Sequence, residues 1–173
     1  MEAQFIETML LLSINHQSLI ATKANRIVNA ACGRPVMEFG SRRAQGYDGA
    51  VYGARAAYIG GCCGTACTIS DRDYGVTALG TMAHSWVQLF DTELEAFRAY
   101  ANSYPDSCTL LVDTYNTLKS GIPNAITVFK ELESRGFKGK GVRIDSGDIA
   151  YLSKKARTMP VSYTHLTLPT IRL

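Results

Sequence analysis

Four short apolar runs, each closing on a glycine or an acid, organise this 173-residue chain. They are Val36-Met37-Glu38-Phe39 before Gly40, Val76-Thr77-Ala78-Leu79 before Gly80, Thr109-Leu110-Leu111-Val112 before Asp113, and Gly141-Val142-Arg143-Ile144 before Asp145. The closing residues lie 40, 33 and 32 positions apart, the beat of strand–helix units that feed a parallel sheet. Apolar strands whose last residues turn polar or glycine place a ligand site at their C-terminal ends, as in barrels and open α/β sheets. A closed eight-stranded barrel takes about 250 residues. The expectation is therefore an α/β chain forming about half of an irregular TIM-like barrel, a fragment in which four strand-end clusters converge.

The segments between the strands carry helix signals. Residues 3–31 read as one long N-terminal helix, with Phe5, Ile6, Met9, Leu10, Leu12, Ile20, Ala24, Ile27, Val28 and Ala31 at helical spacing and Gly33-Arg34-Pro35 stopping it. A Gly- and Ala-rich helix is expected from Tyr47 to Ile59, a short one within 65–74 closed by Gly75, and another after His84 carrying Trp86, Val87, Leu89 and Phe90. Thr92 with Glu95 forms a capping-box pattern ahead of an amphipathic helix that runs to Pro105. Helices are also expected over 122–135, capped by Gly136, and from Ile149 to Arg157.

Composition narrows the class. Hydrophobic residues make up 46% and charged residues 19%, which argues against disorder, and a net charge of +3 is too small to favour nucleic acid or an anionic membrane as partner. The run Met9-Leu10-Leu11-Leu12 is too short to span a bilayer, and the first residues, with Glu2 and Glu7, lack the pattern of a signal peptide. Cys32, Cys62, Cys63, Cys67 and Cys108 are an odd, irregular set without zinc spacing, read as reduced small core residues of a cytosolic protein. The stretch 161–170 changes character abruptly and resembles a translated sequencing-adapter string. Residues 160–173 are accordingly expected to be a non-native tail, and His165 carries no functional weight.

The strand ends hold the chemistry. Arg42 and Arg43, after Glu38-Phe39-Gly40-Ser41, offer planar forks for carboxylate or phosphate oxygens, and would equally suit a solvated basic turn. The turn Gly60-Gly61-Cys62-Cys63-Gly64-Thr65 allows close backbone approach, or simply a tight bend. His84 follows Gly80-Thr81-Met82-Ala83 at a strand–helix junction, where backbone N–H groups favour anions. It reads as a base, acid or nucleophile, or as a structural histidine. Asp113-Thr114-Tyr115 and Arg143-Ile144-Asp145-Ser146-Gly147-Asp148 complete the set, Asp148 doubling as a helix cap.

Taken in order, Glu38-Phe39-Gly40-Ser41-Arg42-Arg43, Gly80-Thr81-Met82-Ala83-His84, Leu111-Val112-Asp113-Thr114-Tyr115 and Arg143-Ile144-Asp145-Ser146-Gly147-Asp148 resemble the nicotinate phosphoribosyltransferase family over residues 3–159. The resemblance implies that 1–159 is the central part of a type II phosphoribosyltransferase barrel working as a cytoplasmic homodimer. The implied reaction joins nicotinate to 5-phosphoribosyl 1-diphosphate for NAD synthesis, with ATP as co-substrate, Mg²⁺ assisting and a phosphohistidine as intermediate. It implies that His84 is the phosphorylated residue and that Thr81 and Arg143 contact nicotinate, Arg143 facing its carboxylate. Phe39 would stack on the pyridine ring, Arg42 contact a substrate phosphate, and Ser146 and Gly147 bind substrate. Asp113 and Asp145 would lie near the ribose, the diphosphate and Mg²⁺.

The departures are specific. Gly64-Thr65-Ala66 stands where the family pattern has Gly-Thr-Ser. An N-terminal region that supplies an aromatic across the dimer is absent before Met1, as are later phosphate-binding loops, so the chain is expected to hold an incomplete site. The alternatives are a relative acting on nicotinamide or quinolinate, and a non-catalytic truncated chain.

Overall fold

The computed structural model describes residues 2–159, which divide into two compact units, 2–80 and 81–159. The expected non-native tail, 160–173, lies outside the described residues.

In the first unit the long helix forms as a single element, α1 (Glu2–Ala30). It ends where Cys32 (φ 50°) and Gly33 (φ 81°) turn left-handed, two residues before Pro35. Strand β1 (Met37–Glu38) leads through a 3₁₀ turn (Ser41–Arg43) into α2 (Tyr47–Ile59), then β2 (Gly64–Thr65) and α3 (Thr68–Tyr74). β1 and β2 are parallel, with Met37 opposite Gly64 and Glu38 opposite Thr65. The expected strand at 76–79 is reduced to a single parallel bridge between Thr65 and Ala78. Thr65 carries both bonds of that bridge, its N–H donating to the Thr77 carbonyl at 3.1 Å and its carbonyl accepting from the Leu79 N–H at 2.9 Å, and β2 ends there. The Ala78 N–H, on the opposite edge, is donated to the Asp71 carboxylate at 2.9 Å.

Small residues decide how this unit packs. Gly60 closes α2, and a Cβ there would lie 2.6 Å from the Ala21 carbonyl oxygen and 2.8 Å from the Ala24 methyl. Ala24, Ala31, Val36, Ala57 and Cys62 form the main buried cluster, and Val51, Ala54 and Cys67 a second. The apolar residues of the first half of α1 are not part of either. Phe5 and Leu12 are each 73% exposed and Met9 70%, so the periodicity that predicts the helix does not mark a face buried within these residues.

The second unit comprises α4 (His84–Val87), α5 (Glu93–Ser103), a 3₁₀ turn (Pro105–Ser107) and β3 (Thr109–Leu111), then a π turn (Thr117–Gly121), α6 (Ile122–Ser134), β4 (Gly141–Arg143) and α7 (Ile149–Thr158). Thr92 and Glu95 make the capping box in both directions, at 3.2 and 3.1 Å. β3 and β4 run parallel, pairing Thr109 with Gly141, Leu110 with Val142 and Leu111 with Arg143. Val87, Phe97, Leu110, Leu111, Val112, Ile122, Val128, Phe129, Leu132 and Val142 are almost wholly buried and form one core. Gly121 lets the π turn close against the end of β3, because a Cβ there would sit 1.9 Å from the Val112 carbonyl oxygen.

The architecture is α/β, with strand–helix–strand units and parallel pairing. The described strands form two separate two-stranded sheets, and no closed barrel is present among the described residues. Strands of two or three residues supply too few ladder positions to carry a wide sheet. The cysteine expectation also needs correction. All five are free thiols, and Cys62, Cys67 and Cys108 are buried, but Cys32 and Cys63 are exposed.

Candidate active site

Three of the four strand-end clusters meet within residues 81–159. β3 delivers Asp113 and Thr114, β4 delivers Arg143 to Ser146, and the segment before α4 delivers Thr81 and His84. The register of β3 against β4 continues one step beyond the strands, the Val112 N–H reaching the Arg143 carbonyl at 3.1 Å. Both strand ends are therefore held level, and the acids that follow them face a common loop cluster.

Asp113 ties that cluster together. Its Oδ2 accepts from the Asp145 backbone N–H at 2.9 Å and from the Ser146 hydroxyl at 2.6 Å. Its Oδ1 is buried and has no hydrogen-bond partner. Arg143 donates from Nη1 to the Thr81 hydroxyl at 2.5 Å and from Nη2 to Asp145 Oδ1 at 3.0 Å. His84, the first residue of α4, lies with Nε2 3.5 Å from Asp145 Oδ2 and Nδ1 3.3 Å from the Thr114 hydroxyl. Asp145 is buried, while the His84 side chain is 39% exposed. A solvent-reachable imidazole thus sits on a buried carboxylate that also binds a guanidinium.

One expectation changes here, and the Asp148 cap is met. α4 is a single turn of four residues, too short to build the dipole that would draw an anion to its start. What surrounds His84 is a side-chain network, and it owes little to a helix terminus. Asp148 caps α7, accepting from the Tyr151 N–H at 2.9 Å, and its carboxylate is used there. Gly147, between the network and that cap, takes φ 75°.

Phe39 and Arg42 belong to the other unit, Phe39 half-buried after β1 and Arg42 exposed in the 3₁₀ turn. That turn is ordered by Glu38, whose carboxylate accepts from the Gly40 N–H through Oε1 and from the Thr65 hydroxyl at 2.6 Å through Oε2. The buried Thr65 hydroxyl in turn accepts from the Cys67 N–H at 3.0 Å. Glu38 and Thr114 are thus structurally central residues that motif reading quoted without assigning a role. An acid two residues before a turn glycine for Glu38, and a hydroxyl next to a strand-end acid for Thr114, are the signals the sequence offers for them.

The fold class is a parallel α/β arrangement with its polar groups gathered at strand ends, the class in which ligands bind beyond the carboxyl ends of strands. Residues 35–165 match the model of the Nicotinate phosphoribosyltransferase (NAPRTase) family, and the chain belongs to that family. It is 51% identical over 158 residues to a nicotinate phosphoribosyltransferase of Bacillus subtilis, covering 91% of this chain and 32% of that protein. Among solved structures, human nicotinic acid phosphoribosyltransferase superposes with a TM-score of 0.80 at 30% identity, over 90% of this chain and 40% of that one. The nicotinate-nucleotide pyrophosphorylase of Pyrococcus furiosus reaches 0.66 at 27% identity, over 82% and 36%. The chain spans about a third of the length of the curated relatives it matches.

Proposed function

We propose that this chain carries the histidine-bearing part of the active site of an ATP-coupled nicotinate phosphoribosyltransferase. The observation that carries the reading is the linked set His84–Asp145–Arg143–Thr81, within a chain whose relatives bear that name. In the proposed reaction, the ring nitrogen of nicotinate bonds to the anomeric carbon of 5-phosphoribosyl 1-diphosphate as the bond to diphosphate breaks. The ribose becomes cation-like on the way, and Asp113 and Asp145 are the carboxylates available to stabilise it. Arg143 is assigned to the nicotinate carboxylate, exchanging part of its present bonding to Thr81 and Asp145 for a two-pronged ion pair. Ser146 and Gly147 are assigned to substrate binding on the same loop.

His84 is assigned as acceptor of the γ-phosphoryl group of ATP. A bond forms from ring nitrogen to phosphorus, the bond from phosphorus to the bridging oxygen breaks, and ADP leaves. Mg²⁺ is commonly held by one or two carboxylates together with substrate phosphates. The unpartnered Asp113 Oδ1 suits one such position, and no cluster of three ligating side chains forms among the described residues. Asp113 would then meet an ion carried on the diphosphate, where it offsets the leaving group's charge. Ring stacking by Phe39, phosphate contact by Arg42, a homodimer and a cytoplasmic location rest on the family resemblance alone. So does the reading of these strand–helix units as part of an irregular barrel.

The test replaces the matched segment of the Bacillus subtilis relative with residues 2–159 and supplies ATP labelled in the γ-phosphate. Acid-labile label on protein, lost in His84→Ala, is expected together with nicotinate mononucleotide formation. A chimera that makes the nucleotide with no label on His84 would remove the phosphohistidine from the reading.

A further inference from the structure

We propose that Thr114 is a positioning residue that holds the His84 ring with Nε2–H toward Asp145 and its own hydroxyl on the Nδ1 lone pair, which is released when that hydroxyl turns aside. An ionised carboxylate can only accept a hydrogen bond, so the ring nitrogen facing Asp145 Oδ2 must be the one that carries hydrogen. The opposite tautomer would turn the Nε2 lone pair toward that oxygen. A hydroxyl both donates and accepts. Thr114 Oγ1, 3.3 Å from Nδ1, therefore donates into the Nδ1 lone pair, which points away from the acid.

The two partners come from different strand ends, Thr114 after β3 and Asp145 after β4. Asp113 locks those ends to each other through the Asp145 N–H and the Ser146 hydroxyl. The imidazole is gripped from two sides by elements that cannot drift apart independently. Asp145 sets the tautomer, and Thr114 sets the rotation that keeps Nε2 aimed at it. For catalysis the inference rests on reading His84 as phosphoryl acceptor: the Thr114 hydroxyl turns off Nδ1, Nδ1 forms the bond to phosphorus, the bond to the ADP oxygen breaks, and Nε2 keeps its proton beside Asp145.

Long-range ¹H–¹⁵N correlation spectra of the histidine rings in this chain test the positioning directly. The wild type is expected to hold His84 predominantly as the Nε2–H tautomer. Thr114→Val should free the ring to rotate off Asp145 and so lower the ratio of Nε2–H to Nδ1–H about fivefold, the factor that corresponds to losing a contact of ~1 kcal/mol between Nε2–H and that acid, and Thr114→Ser should restore it. The Trp86 indole N–H, bonded to the Ala96 carbonyl at 3.2 Å, reports whether the unit remains folded. If Thr114→Val shifts that signal, Thr114→Ala is read in its place. A wild-type Nδ1–H tautomer, an unchanged ratio in the folded variant, or no recovery in Thr114→Ser would overturn the proposal. The expected ratios with no ATP-derived label in the chimera would support the positioning role and overturn the phosphohistidine reading, which separates the two.

Discussion

The two units use opposite ways of burying surface. Residues 81–159 pack Phe97, Phe129, Leu110, Leu111 and Leu132 into one core of large side chains under a two-stranded parallel sheet. Residues 2–80 pack alanines, cysteines and two valines into two small clusters, with glycine where α1 and α2 approach each other. The same unit leaves Phe5, Met9, Leu11 and Leu12 in solvent. Burial of apolar area scales with side-chain size, at about 25 cal/mol per Å². The second unit therefore has the stronger basis for its own stability, and it is the one that holds the histidine network. The lesson is that a polar network of two acids, an arginine and a histidine sits on the better-packed scaffold.

The largest test of that contrast is truncation in each core. Phe129→Ala should destabilise the second unit by about 3–5 kcal/mol, read by urea unfolding followed through Trp86, the sole tryptophan. Val36→Ala should cost the first unit only about 1–2 kcal/mol, since two methyl groups are lost, read by hydrogen exchange in α2. Equal losses would break the contrast. Gly121→Ala comes next. Its methyl would overlap the Val112 carbonyl, and about 1–3 kcal/mol should be lost from the second unit in the same unfolding assay. Asp113→Asn removes the charge that receives the Asp145 N–H and the Ser146 hydroxyl. A loss of about 1–2 kcal/mol is expected, with faster exchange of the Asp145 amide.

Smaller effects sharpen the other side. Replacing Leu11 and Leu12 by lysine and glutamate should change stability by no more than about 0.5 kcal/mol. It should nevertheless reduce binding of a hydrophobic dye and light scattering by the chain, because those side chains are exposed. Stronger destabilisation would mean that the α1 face is packed in solution. Thiol labelling should cost nothing in stability and should follow exposure. Cys63 and Cys32 are expected to react first and Cys108 last, burial having pushed its thiol up to about 11.

Much of the local structure was legible in the residues. α2 has the limits expected from Tyr47 and Ile59, α1 differs from 3–31 by a residue at each end, and the Thr92–Glu95 box caps α5. These features are written by neighbours a few positions apart. The strand at 76–79 was misread for the opposite reason. It pairs only with Thr65 because β2 is two residues long, and the length of a distant partner strand is not written in an apolar pattern. α4 fell short too: after Val87 the chain tightens into i→i−3 bonds, the Leu89 and Phe90 N–H groups donating to the Trp86 and Val87 carbonyls at 3.2 and 3.4 Å. Within the candidate site, His84, Arg143 and the two acids stood out by type and place. Thr114 and Glu38 did not, since a hydroxyl or carboxylate takes its meaning from a partner about 30 positions away.

By itself the sequence determined the order of helices and strands, the parallel strand–helix rhythm and the chemical types at the strand ends, because periodicity, caps and breakers act over one or two turns. Tertiary structure alone decided which of those ends share a network, which nitrogen of His84 faces an acid, and that the apolar residues in the first half of α1 stay exposed among these residues. Those outcomes depend on β3–β4 register and on contacts between distant residues, and such contacts leave no periodic trace in the chain.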